Sequence, residues 1–210
     1  MSQVIESAKT DNKIIKISID EFPIDPYNEF DQLSHIVAWH NRYNFGKKAD
    51  VEQFKQQENF EQYVKDLNGK ILLLNLYMYE HSGISLSVDQ SRPYPFNDRW
   101  DSGQIGYAYV TYEEIQKEYS VKRVSKKLKQ KVIKLIESEI ETYNQYLNGQ
   151  VYQYAIFKIQ KCDKKHEHFE IEDSLSGIFG DISDVKEAIA ENTDIDIKNL
   201  NWQDGDIEEA

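Results

Sequence analysis

The sequence predicts an α+β fold: a single domain with an antiparallel or mixed sheet flanked by helices. Three patterns predict it. Ile15, Ile17 and Ile19 alternate with Lys16 and Ser18, the period of a strand with one buried face. Residues 71–79 form an unbroken run rich in Leu and Tyr, expected of a central strand buried on both faces. From Val124 to Leu147, the apolar residues Leu128, Val132, Leu135, Ile136, Ile140 and Tyr143 recur at helical spacing, which predicts the longest helix over about 125–147.

The elements follow in order. Residues 1–12 are expected to be a flexible N-terminus, with a strand over 13–19. Asp20-Glu21-Phe22-Pro23-Ile24-Asp25-Pro26 reads as a rigid turn, because its prolines restrict φ and remove backbone donors. A helix is expected over 27–39, carrying Phe30, Leu33, Ile36 and Val37, and a second over 50–67 with Asp50 as its cap. Asn68-Gly69 ends that helix in left-handed geometry. Residues 84–88 return as the hairpin partner of 71–79, and 104–110 form the next strand. Thr111 and Glu114 make a capping box for a short helix to about 119. Ser125 caps the long helix and Asn148-Gly149 stops it. Residues 151–159 and 166–171 read as a strand pair. Ser183 is expected to cap a last helix, 184–191, and 201–210 to be an acidic disordered tail apart from Trp202.

Composition narrows the function. The chain has 210 residues, 40% hydrophobic and 30% charged, and one cysteine, so no intrachain disulfide can form and a reducing cytosol fits. No apolar run is long enough to span a bilayer, and the N-terminus lacks the pattern of a signal peptide; no membrane partner is expected. A net charge of −12 disfavours a simple nucleic-acid binder. The charge is uneven. Residues 117–134 hold eight basic groups against Glu118 alone, whereas 163–210 hold fifteen acids and four lysines. Lys126, Lys127, Lys129 and Lys131 crowd the start of a helix whose dipole prefers acids there, so they are candidates for anion binding, either exposed or covered by the acidic C-terminal third. Nucleic acid through 122–134 is the less favoured partner. Asp184, Glu187 and Glu191, among other carboxylates, offer an acidic surface that imitates a phosphate backbone and fits a basic protein channel.

Chemistry concentrates at two turns. Glu80-His81-Ser82-Gly83 ends one strand, and Trp100-Asp101-Ser102-Gly103-Gln104-Ile105-Gly106 opens another, with the loop Arg92-Pro93-Tyr94-Pro95-Phe96 between them. Antiparallel pairing gathers His81, Ser82, Trp100, Asp101, Ser102 and Gln104 at one sheet end. His81, Ser82, Asp101 and Ser102 are the candidate catalytic groups of a small hydrolase or nuclease, but no Gly-x-Ser-x-Gly elbow accompanies them. The competing reading is ordinary turn chemistry. His81 with Asp101, or His166 with His168, lacks a third metal ligand, and His35 and His40 are poorly spaced. No metal and no cofactor are expected.

Asp20-Glu21-Phe22-Pro23, Trp39-His40-Asn41-Arg42-Tyr43-Asn44-Phe45-Gly46, His81-Ser82-Gly83, the 100–106 segment, Tyr143-Asn144-Gln145-Tyr146-Leu147-Asn148-Gly149, and Asp173-Ser174 through Phe179-Gly180-Asp181 resemble motifs of a group of phage and mobile-element proteins of low-GC Gram-positive bacteria. Lys47, Gln150, Leu175 and Ser176 depart from that pattern, which counts against a retained acidic metal cluster. The resemblance implies a phage or mobile-element context; the expected location is the host cytosol, and Arg42 and Tyr43, with Trp100 and Gln104, are candidate binding residues. It supplies no activity. The leading expectation is a binder that interferes with a host defence protein, a nuclease being the candidate; the alternatives are the small enzyme or a regulatory or structural phage protein.

Overall fold

A computed structural model describes residues 3–89, 94–98, 100–161 and 167–207. In chain order its elements are β1 (Val4–Lys9), β2 (Lys13–Ile19), α1 (Pro26–Glu29), β3 (His35–Ala38), α2 (Lys48–Gln53), α3 (Gln57–Asp66), β4 (Ile71–Glu80), β5 (Ile84–Val88), β6 (Ser102–Thr111), α4 (Tyr112–Glu118), α5 (Lys126–Leu147), β7 (Val151–Lys161), β8 (Glu167–Phe179), α6 (Ile182–Asn192), a 3-10 turn (Ile197–Asn199) and β9 (Trp202–Asp204). The fold is α+β, as the patterns predict, and its strands form two antiparallel sheets. The chain gathers into two compact units: a terminal unit of the first 24 residues with the segment from Gly149 onward, and a central unit, Asp25–Asn148.

In the terminal unit the strand order is β8-β7-β2-β1-β9. Ala8, Ile15, Ile17, Tyr154 and Ile156 bury one face of this sheet with Val185 and Ile189 of α6. The segment expected to be a flexible N-terminus contains β1, which pairs with β2 along Val4–Lys9. The segment expected to be a disordered tail contains β9, paired with the other edge of β1. Side chains hold it there. Ser7 Oγ donates to the Gly205 carbonyl at 2.6 Å, and Lys16 Nζ meets Asp206 at 2.6 Å. Lys186 Nζ contacts Glu6 at 2.5 Å and sits 4.5 Å from the Trp202 ring centre. Trp202, Gln203 and Asp204 thus form a strand because the β1 edge offers unpaired backbone groups and Trp202 packs against the core of this unit. The cap of α6 is Asp181, not Ser183: Asp181 accepts from the Ser183 and Asp184 amides, and Asp184 accepts from the Asp181 amide at 2.6 Å. His166 and Cys162 lie outside the described residues, so the His166–His168 pairing does too.

In the central unit the order is β3-β6-β4-β5. One sheet face, with Ile36, Leu74, Leu76, Ala108 and Val110, packs on Val132, Ile136, Ile140 and Tyr143 of α5. The other, with Val37 and Tyr109, packs on Phe54 and Phe60. Covering on both faces explains the continuous apolar run of β4. It also corrects the helix expected over 27–39. Asp25 caps α1, Pro26 starts it, and the chain is extended again at Phe30. Ile36 and Val37 then point to opposite faces of β3 and enter separate cores; two adjacent buried β-branched residues satisfy a strand, not one helix stripe. The expected helix 50–67 is likewise two, broken at Phe54, and Asp50 is a buried residue inside α2 instead of a cap. Thr111 with Glu114 and Ser125 cap α4 and α5 as expected.

Candidate functional site

The β4–β5 register pairs Glu80 with Ile84, leaving His81-Ser82-Gly83 as the hairpin loop. Ser82 takes a positive φ of 59° to close it. On the other flank β4 pairs Tyr79 with Ser102, and the Glu80 amide donates to the Asp101 carbonyl at 2.9 Å. The sheet therefore sets the two turns side by side. His81, Ser82, Trp100, Asp101 and Ser102 line one shallow depression together with His40, Arg42 and Glu80. Gln104 does not join them: its amide donates to Asn75 Oδ1 at 3.1 Å and the Gly106 carbonyl at 3.3 Å, further along the sheet.

His81 Nδ1 lies 3.3 Å from Asp101 Oδ2, with both side chains well exposed. A serine nucleophile needs the second imidazole nitrogen within hydrogen-bond reach. Among the described residues neither Ser82 nor Ser102 bonds to His81. Ser102 Oγ donates to the Asp98 carbonyl and accepts from Tyr94 Oη at 2.7 Å. The serines close turns. Beside them Glu80 is held by Arg42 and by Tyr43 Oη at 2.8 Å, the Tyr43 ring lies against His40 with centroids 5.3 Å apart, and Arg42 stands 5.5 Å over that ring. Hydrogen bonding to Glu80 raises the Tyr43 phenol pKa, because losing its proton would set an anion beside a carboxylate. Trp100, which lines the same depression, is 97% exposed. Such a rim suits recognition better than proton transfer.

Of the candidate anion-binding residues, Lys129 and Lys131 rest on tyrosine faces, 4.7 Å from the Tyr112 and Tyr119 ring centres. Lys126 and Lys127 are exposed. On α6, Glu187 and Glu191 are exposed one turn apart, whereas Asp184 is occupied by the capping box.

A different histidine holds the strongest electrostatic arrangement. His35 Nδ1 is 2.8 Å from Asp50 and Nε2 is 2.8 Å from Glu114, and the ring stacks on Tyr109. Burial pulls the imidazole pKa down, but the bonds to Asp50 and Glu114 outweigh it and raise the value to about 9. Burial likewise opposes ionisation of Glu114, yet the bonds from His35 and from the Thr111 hydroxyl and amide lower it to about 2. Both ring nitrogens donate, so this imidazolium has no lone pair for a base or a metal. It pins β3, α2 and α4 together. Strand β3, where the sequence predicts a helix over 27–39, is what carries His35 to Asp50 and Glu114. Among the described residues no three His, Cys, Asp or Glu side chains converge as metal ligands. No protein-family profile, curated protein or solved structure matches the chain.

Proposed function

We propose that this protein acts by binding a protein partner and not by catalysis. The observation that carries the reading is the exposed Trp100, which lines the same depression as a His81–Asp101 pair to which, among the described residues, no hydroxyl nucleophile bonds. An amphipathic aromatic in water beside charged and hydrogen-bonding groups is the composition of an interface anchor. The partner we propose is a host defence protein, a nuclease being the candidate, met in the host cytosol by a phage or mobile-element accessory protein. Support for that context is the motif resemblance. The exposed carboxylates Glu187 and Glu191 supply the charge that a basic channel would accept. Among the described residues no helix is long and apolar enough to cross a membrane, which agrees with a partner away from the bilayer.

The test is a titration against a panel of purified defence nucleases. A binder inhibits one of them at a stoichiometric ratio. Trp100→Ala or the pair E187K/E191K relieves inhibition, and H81A/D101A retains it. Asp184 is left intact so that the α6 cap survives. The second reading, a hydrolase or nuclease at His81 and Asp101, draws on the 3.3 Å contact between them. It requires inactivation by far less protein than target, abolished by His81→Ala. A regulatory or structural role would leave every nuclease unaffected.

A further inference from the structure

We propose that the central unit carries a second docking surface, a groove along the start of α5 that receives an acidic amphipathic helix of a partner protein. Val121, Leu128 and Ile133 supply its apolar lining, and Tyr119 lines it beneath Lys131. Arg123, Lys127, Lys131 and Lys134 supply its rim. The three lysines fall at i, i+4 and i+7, so they form one ridge about 10 Å long on the helix surface. Among the described residues none of the four basic groups pairs with a carboxylate. That is unusual in a chain of net charge −12. The first turn of α5 also contains no acid, so Lys127 there opposes the helix dipole. An arrangement that forgoes both pairing and dipole stabilisation is complementary to external carboxylates.

The apolar lining selects the kind of occupant. A purely anionic strand would use the lysines and leave Val121 and Leu128 wet. Nor do the tyrosines offer stacking platforms for bases, since Lys131 covers Tyr119 and Lys129 covers Tyr112. A helix with a leucine stripe flanked by glutamates satisfies both parts. Its carboxylates, three and four residues apart, repeat at the rise of the lysine ridge, and its stripe covers the apolar strip between the basic groups. The surface shares no residue with the His81–Asp101 end and does not depend on the reading given above.

The experiment uses the full chain and a fluorescein-labelled synthetic helix of roughly 18 residues with one leucine stripe and flanking glutamates. Anisotropy should show binding about tenfold tighter than a scrambled peptide of the same composition, a difference of about 1.4 kcal/mol. The triple variant K127E/K131E/K134E should lose about tenfold, and Val121→Asp about fivefold, with unchanged circular dichroism. Binding should weaken in ~0.3 M salt without vanishing, because part of it is apolar. The proposal is overturned if the peptide does not bind, if the scrambled peptide binds equally, if the folded variants bind as the parent does, or if a single-stranded oligonucleotide of like charge binds more tightly.

Discussion

Asn144 holds Leu86 by both of its backbone polar groups: the Leu86 amide donates to Oδ1 at 2.7 Å, and Nδ2 donates to the Leu86 carbonyl at 2.9 Å. One turn later Asn148 holds Ile84 in the same manner, at 3.1 and 2.6 Å. The match is geometric. Four helical residues advance ~6 Å and two strand residues ~6.8 Å, so side-chain amides spaced i and i+4, one in the last turn of α5 and one at its C-cap, meet alternate residues of β5. Since β5 is an outer strand, its free edge is occupied by side chains of its own unit.

Replacing Asn144 with Ala should leave a half-buried amide and carbonyl of Leu86 unsatisfied and cost about 2 kcal/mol. Asn144→Asp keeps the acceptor, loses the donor and should fall between. Urea unfolding measures both, and light scattering should report concentration-dependent self-association of Asn144→Ala as the β5 edge opens.

Gly83 is coupled to the same device. A Cβ there would lie 2.6 Å from Asn148 Oδ1. Gly83→Ala should destabilise by about 1 kcal/mol in the parent and by less in an Asn148→Ala background, a non-additivity readable in a double-mutant cycle. At Gly106 the obstacle is backbone: a Cβ would lie 1.9 Å from the Val37 carbonyl. Gly106→Ala should therefore cost about 3 kcal/mol or more, because β3 cannot yield without losing its pairing.

The His35 cluster should give stability a defined pH window. The folded pKa of His35 is raised, so its contribution is complete below about 6.5 and is lost as pH rises through about 9. The folded pKa of Glu114 is lowered, so its contribution is complete above about 4.5 and is lost as pH falls through about 2. The contribution of this pair is thus full between about pH 4.5 and 6.5. His35→Ala should remove the alkaline decline and cost about 3 kcal/mol at pH 6, because Asp50 is left buried without its partner. Thermal melts across pH, parent against variant, decide it.

Glu139 should be as costly to remove. Its two buried carboxylate oxygens accept from the Leu33 and Ser34 amides at 2.8 and 3.0 Å. Glu139→Ala orphans both donors, and about 3 kcal/mol should be lost. By contrast His81→Ala and Asp101→Ala remove an exposed pair and should each shift stability by about 0.5 kcal/mol or less. A larger loss in denaturant titration would mean that the pair is structural.

What the sequence determined by itself is local. The Thr111–Glu114 capping box, the Ser125 cap, the stripe of α5, the turn at Asn68-Gly69, the β4–β5 hairpin and the α+β class depend on groups close in the chain and on periodicity, and they stand where these place them. The meeting of His81 with Asp101 was also legible, since a hairpin and its next neighbour bring adjoining turns together. Tertiary structure decided the rest. Ile36-Val37 reads as part of a helix until two cores claim its two side chains. The acidic segment 201–210 reads as tail, Trp202 apart, until Trp202–Asp204 pairs with the β1 edge. Asp184 reads as free surface charge until the Asp181 amide bonds it. The pairing of His35 with Asp50 and Glu114 is not legible in sequence because the field that fixes their charges arises only when β3, α2 and α4 converge, far apart in the chain and within 2.8 Å in the fold.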